Sequence, residues 1–159
     1  MQTQPIQSNV VVPSRRVPHK IVGAGVILDR QGRVLIARRL ARAIRGGLWE
    51  FPGGSVEPGE DIPACIRREL REELAIETEI GARLCVVHHT YSHLTIELHA
   101  HFGRVVRGRP RALQCAAWAW EKIPRLRERP FSGADLQVIS ALGACRTWPG
   151  LHRAPVCGM

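Results

Sequence analysis

No apolar run among the 159 residues reaches the length of about 20 that a membrane-spanning helix needs, so no membrane partner is expected. The opening stretch, Met1 to Pro18, is polar and lacks the hydrophobic core of a secretion signal. Cysteine pairs are also missing. The five cysteines (Cys65, Cys85, Cys115, Cys145 and Cys157) are odd in number and none has C-x-x-C spacing. That pattern speaks against a disulfide framework and a structural zinc site, and predicts reduced thiols in a cytoplasmic setting. No internal repeat is present. The formal charge is +9 with a pI near 10.6, a balance that suits polyanions but equally serves solubility. No basic run is dense enough for duplex DNA. The nearest, Arg107-Gly-Arg-Pro-Arg111, reads as a turn. No stable nucleic-acid partner is expected.

The length suits one domain with a sizeable core. Residues 1–18, with Pro5, Pro13 and Pro18 among Gln and Ser, read as a flexible tail. Residues 19–144 form the domain, and 145–159, with Pro149 and Pro155, a second tail. Ile21–Leu28 and Arg33–Arg39 are strand-like around an Asp29–Gly32 turn, which predicts a hairpin. Residues 40–47 read as a loop or short helical turn, and Leu48–Phe51 as a return to the sheet. Glu77–Tyr91 is extended. Leu94, Ile96, Leu98, Ala100 and Phe102 alternate with Thr95, Glu97, His99 and His101, as in a half-buried antiparallel strand. Trp118–Trp120 is a short strand, Ile123–Glu128 a helical turn and Asp135–Ala144 a helix. Strands flanked by two helices predict an α/β sandwich with a mixed β-sheet.

The chemistry concentrates between Gly53 and Ile76. Gly53, Gly54 and Gly59 permit tight or left-handed backbone. Asp61 is a candidate N-cap, and Pro63 is tolerated in a first helical turn. Ile62, Ile66, Leu70 and Leu74 form an apolar stripe. Beside it Glu69, Glu72 and Glu73 fall within roughly 100° of one another, with Arg67, Arg68 and Arg71 on the other side. Three carboxylates on one face repel each other unless a hard divalent cation binds them. The alternative is a solvated helix with Arg68 and Glu72 paired at i,i+4.

The pattern G-x5-E-x7-R-E-U-x-E-E-x-G-U, with U aliphatic, runs here as Gly54, Glu60, Arg68, Glu69, Leu70, Glu72, Glu73 and Ile76. It resembles the signature of the Nudix hydrolases; the late glycine is replaced by Ala75. The flanks Leu48-Trp-Glu-Phe-Pro-Gly-Gly54, His89-Thr-Tyr-Ser-His93 and Phe131-Ser-Gly-Ala-Asp135 resemble the MutT type and the nucleotide-recognition domain of adenine DNA glycosylases. Likeness covers residues 20–144 or so. The resemblance implies an α/β/α sandwich with a loop-helix-loop catalytic motif. It implies metal ligation by the carbonyl of Gly53 and by Glu72 and Glu73, with Glu69 as general base or further ligand. Gly54, Glu57, Glu60 and Arg68 would support the loop. Arg39, Phe51 and Asp135 would contact substrate. Arg38 and Arg39 face opposite ways on a strand, so only one reaches the pocket, and Arg39 is chosen. From local sequence alone Asp135 is equally an N-cap. Relatives carry acids before the tryptophan strand; here Gln114 stands in that stretch. Either water or another carboxylate would then complete the metal shell, Glu97 being the candidate on the polar face of its strand. Ser132 replaces the usual proline. His99, His101 and Glu97 share a strand face and read as an exposed polar face. His89 and His93 read as pocket or loop residues.

Three functions follow from the resemblance. The leading expectation is a Mg²⁺-dependent hydrolase (Mn²⁺ as alternative) converting 8-oxo-dGTP to 8-oxo-dGMP and pyrophosphate. The second is a non-catalytic module that reads oxidised guanine. The third is a Nudix enzyme for another nucleoside diphosphate derivative.

Overall fold

The computed structural model describes residues 17–146; both expected tails, except for residues 17, 18, 145 and 146, and Cys157 lie outside them. Two sheets carry the fold. In the first, β4 (Gly53–Ser55), β1 (His19–Ile27), β6 (Leu94–Arg107) and β5 (Glu77–Tyr91) lie side by side in that order. β1 runs parallel to β6, and the other pairs are antiparallel, so the sheet is mixed. In the second, β2 (Arg33–Arg38) is flanked by β3 (Trp49–Glu50) and β7 (Ala117–Lys122), all antiparallel. Helix α1 (Ile62–Leu74) packs on one side and α2 (Gly133–Ala144) on the other, with a 3₁₀ turn at Ile123–Glu128.

The core explains the layering. Val34 and Ile36 pack with Val26, Phe102, Val138 and Leu142, while Leu35 and Ala37 pack with Ile66, Leu70 and Leu74 of α1. β2 is thus covered on both faces, which is why residues 34–37 are continuously apolar. Ile66, Leu70 and Leu74 are fully buried, as the stripe predicts. Asp61 caps α1 by accepting the Ala64 N–H at 2.7 Å.

The expected β1–β2 hairpin does not form. The strands meet only at the Leu28–Val34 bridge and then part into different sheets. β1 has β4 and β6 on its two edges and β2 has β3 and β7, so neither keeps an edge for its sequence neighbour. The β6 strand is antiparallel only to β5.

Residues 108–116 form no element, yet they are tied down. Arg111 N–H donates to Leu74 O at 2.9 Å, Leu113 N–H to Glu73 O at 2.9 Å, and Ala116 N–H to Arg38 O at 2.8 Å. This strap binds the end of α1 to β2.

Ala75 ends α1 in the left-handed region (φ 57°, ψ 34°), its N–H donating to Arg71 O at 3.1 Å. A Cβ in that conformation costs about 1–2 kcal/mol, partly offset by the lower unfolded-state entropy of alanine. Ala75→Gly is therefore expected to stabilise the fold by about 1 kcal/mol, a rise of roughly 2–4 °C in Tm. A melting curve checks it; an unchanged or lower Tm refutes the strain.

Candidate active site

A cavity of about 330 Å³ lies against β1 and β6, walled by β3 and β4, the later turns of α1, the 40–47 loop and the start of α2. Its floor is apolar, formed by Val22, Ala24, Ile96 and Leu98. Carboxylates stand on its walls.

At the α1 end, Glu69 and Glu73 face Gly53 and Gly54. A Cβ at Gly54 would stand 2.4 Å from the Glu69 carboxylate, so only glycine lets that side chain lie against the loop. Arg68 organises the acids. Its guanidinium donates to Glu60 at 2.9 and 3.0 Å, to Glu69 Oε1 at 2.8 Å and to the Ser55 carbonyl at 3.1 Å. Glu72 and Glu57 stand 3.6 and 3.9 Å from it. The expectation that Arg68 lies away from the carboxylates is corrected: the long side chain bends back to them. These hydrogen bonds hold Glu60 down to about 2. Glu72 stays about half exposed at the rim.

Glu73 differs. Burial, then the nearby Glu50 and Glu69 charges, push its carboxyl up to about 8. Its Oε2 is buried without a hydrogen-bond partner. The positive charge of Arg39 opposes this shift without offsetting it.

Beyond Glu73 lies Glu50, which sequence reasoning passed over. Burial pushes it to about 7 against the opposing pull of Arg39, whose Nη1 donates to Glu50 Oε2 at 2.6 Å. Glu50 feels the charge of Asp135 and in turn acts on Glu73, so it stands between the two ends of the cavity. Its signal in the sequence was the eleven-residue spacing to Arg39. Arg38 turns away and donates to Gly47 O at 3.1 Å.

At the α2 end, Asp135 is 5% exposed. Its Oδ1 accepts the Phe51 N–H at 3.1 Å and its Oδ2 accepts the Ser132 hydroxyl. Burial pushes it up to about 6. The N-cap of α2 is Ser132, not Asp135, with the Asp135 N–H donating to Ser132 Oγ. Proline would lack that hydroxyl. Tyr91 completes the corner by donating to Ser132 Oγ at 3.2 Å. Phe51 places its backbone here, while its ring packs 5.9 Å from that of Phe131 in the core. Arg45, also missed, lines this part of the cavity; no residue pattern announces it.

Other expected residues lie elsewhere. Glu97 is hydrogen-bonded to His99 at 2.7 Å and stands 3.8 Å from His19, away from the cavity. Gln114 contributes a backbone N–H to Glu73 O at 3.3 Å. His93 lines the cavity; His89 packs on α2 beside Gln137.

Among the described residues no three His, Cys, Asp or Glu side chains converge as ready metal ligands. The donor set nonetheless fits a hard divalent cation. Glu73 offers an unpartnered buried oxygen, Glu69 adjoins it across Gly54, and Glu72 stands half-exposed one residue before it.

A family model described as the NUDIX domain matches residues 23–141. The chain is 36% identical over 120 residues to a CTP pyrophosphohydrolase of Escherichia coli, covering 76% of this chain and 89% of the relative. It is 30% identical over 112 residues to an 8-oxo-dGTP diphosphatase of Buchnera aphidicola, covering 68% and 90%. A crystal structure of a MutT NUDIX hydrolase from Burkholderia pseudomallei superposes with a TM-score of 0.71 at 26% identity, covering 78% of this chain and 98% of that one. Nudix hydrolases generally use divalent metal ions, and no described helix here is long and apolar enough to cross a membrane. The carboxylate-lined cavity, the mixed sheet between helices and these matches together place the chain in the Nudix hydrolase family.

Proposed function

We propose that the protein is a Mg²⁺-dependent nucleoside triphosphate pyrophosphohydrolase acting on guanine nucleotides, 8-oxo-dGTP among them. One observation carries the reading: a single cavity joins the buried Glu73 carboxylate, whose Oε2 has no hydrogen-bond partner, to a buried acceptor, Asp135. Phosphates belong at the first and a base edge at the second.

Mg²⁺ takes oxygen ligands, shares them with substrate phosphates and acidifies bound water. Gly53, Glu69, Glu72 and Glu73 are the residues that would hold it. Glu69, aimed by Arg68, accepts a proton from the attacking water. Arg39, oriented by Glu50, brings positive charge to the substrate. Asp135, ionised above about 6, accepts hydrogen bonds only. It therefore suits the adjacent N1–H and amino group of guanine. The products are a nucleoside monophosphate and pyrophosphate.

The CTP pyrophosphohydrolase relative favours a second reading, cytosine nucleotides. Cytosine offers its amino group beside a ring acceptor, which a protonated Asp135 would match.

The test is pyrophosphate release across 8-oxo-dGTP, dGTP, CTP, dCTP, dATP, ADP-ribose and dinucleoside polyphosphates, with Mg²⁺ and with chelator. Release from guanine triphosphates with Mg²⁺, fastest at mildly alkaline pH, is expected. Full hydrolysis in excess chelator refutes the metal chemistry, and preference for ADP-ribose refutes the substrate class. Tight binding of 8-oxo-dGTP without turnover would point to a recognition module.

A further inference from the structure

We propose that Arg45 is a specificity-determining residue, donating from its guanidinium to the carbonyl oxygen of the base that Asp135 reads. The inference rests on the reading of Asp135 as the base acceptor.

Two unfavourable features meet at Arg45. Its backbone is left-handed (φ 58°), which for a residue with a Cβ costs about 1–2 kcal/mol. Its Nη1 is buried without a hydrogen-bond partner among the described residues. A buried orphan donor costs about 1–3 kcal/mol, more when charged. Gly47, two residues on, is left-handed as well (φ 81°), but there no Cβ is strained. Strain and an unused donor on one residue in a ligand cavity point to a ligand.

The guanidinium is also held still. Its carbon lies 4.1 Å from the centre of the Tyr91 ring. That ring is anchored beside Asp135, because the Tyr91 hydroxyl donates to Ser132 and accepts the Ala134 N–H at 3.3 Å. The loop backbone is fixed in turn by Arg39, whose Nε donates to Ile44 O at 2.9 Å.

Hydrogen bonding separates the two arginines. Arg39 is engaged by Glu50 Oε2 and the Ile44 carbonyl, whereas Arg45 stands over the Tyr91 ring, whose hydroxyl bonds to Ser132 in the Asp135 corner, and keeps Nη1 unpartnered among the described residues. Arg45 is thus the arginine with a donor to offer a base. An acceptor at Asp135 and a donor at Arg45 match guanine, which presents O6 next to N1–H. Adenine has no carbonyl and leaves Nη1 as it is in the free protein.

Arg45→Gly removes the guanidinium and suits the left-handed backbone. Arg45→Lys keeps the charge and loses the planar fork. Two readouts are needed: kcat/KM for dGTP, dCTP and dATP, and dissociation constants of dGMP and dAMP without metal. In Arg45→Gly, kcat/KM for dGTP should fall ~30–100-fold and dGMP binding by a like factor, with dATP and dAMP within about threefold. Arg45→Lys should recover only part of the loss, and the Tm of Arg45→Gly should be equal or higher. An equal loss for every base, with weaker pyrophosphate binding, overturns the proposal in favour of a phosphate contact. Unchanged constants for all ligands overturn it in favour of a loop clamp. Selective loss of dGMP binding in a protein that releases no pyrophosphate would refute the hydrolase and leave the Arg45 assignment standing.

Discussion

Glu73→Gln is expected to lower kcat at least ~10³-fold while the fold remains intact. Glutamine keeps the shape and can still accept the Gly53 N–H that the carboxylate accepts. It removes the charge that a divalent cation requires. Glu72→Gln should act in the same direction, more weakly, because that side chain stands half-exposed at the rim. Stability supplies the independent readout. The folded carboxyl of Glu73 titrates at about 8, against 4.5 for an ordinary glutamate, so between those values the folded protein holds a proton that the unfolded chain has lost. Its stabilising contribution is complete below about 4.5 and drains away as pH rises through about 8. Tm of metal-free wild type should therefore fall between pH 5 and pH 8.5, by ~5 °C or more. The fall should be shallower in Glu73→Gln. Mg²⁺ should restore the wild-type Tm at the upper pH and leave the variant nearly unmoved. Wild-type turnover in the variant, or an equal response to Mg²⁺ in both proteins, would remove Glu73 from the metal site.

Asp135→Asn is expected to cost kcat/KM for dGTP ~10²–10³-fold, about 3–4 kcal/mol. Asparagine can still accept the Phe51 N–H and bond to Ser132, so the corner survives. Alanine would leave the buried Phe51 N–H unpaired and confuse binding with folding. The amide presents a donor where guanine also presents donors, and the clash raises the barrier. Cytosine, with an amino donor beside a ring acceptor, matches an amide better than a carboxylate, so the guanine-to-cytosine ratio should collapse. Wild type should show the same drift in milder form as pH falls below about 6, where Asp135 takes up a proton. Steady-state constants for dGTP, dCTP and dATP over pH 5 to 8.5 decide it. A ratio unchanged by mutation and by pH would mean that the base is read elsewhere.

Much of this was legible in the chain itself. The apolar stripe and Asp61 announce α1, and the period-two alternation from Leu94 announces the inward face of β6. What escaped was decided by distant partners. Strands β1 and β2 are adjacent in sequence and buried on both faces, so nothing local says that β1 joins β6, some seventy residues on. The helical wheel sent Arg68 away from the acids because it tracks Cβ positions, not the reach of a long side chain. Ser132 and Asp135 share a cap motif in which either oxygen could have been the cap; burial against Phe51 settles it. Glu50 looked like one alternating strand residue, and Arg45 like one loop arginine among several. Their burial exists only once α1, α2 and the 40–47 loop close around one cavity.

The strap at residues 108–116 sets where the chain tolerates being cut. The Asp29–Gly32 turn holds itself together with local bonds such as Arg33 N–H to Asp29 Oδ1 at 2.8 Å, so an inserted domain or new chain ends there leave both sheets paired. Arg109 and Arg111 are equally exposed, but their segment is moored to the carbonyls of Leu74 and Glu73. A tryptic nick after Arg111 (the Arg109–Pro110 bond resists trypsin) would loosen the final turn of α1, which carries Glu73, while leaving the buried stripe of α1 in place. Such a clipped protein would keep its compact core and lose its turnover, so the same surface loop that looks dispensable in sequence would act as a fuse for the enzyme.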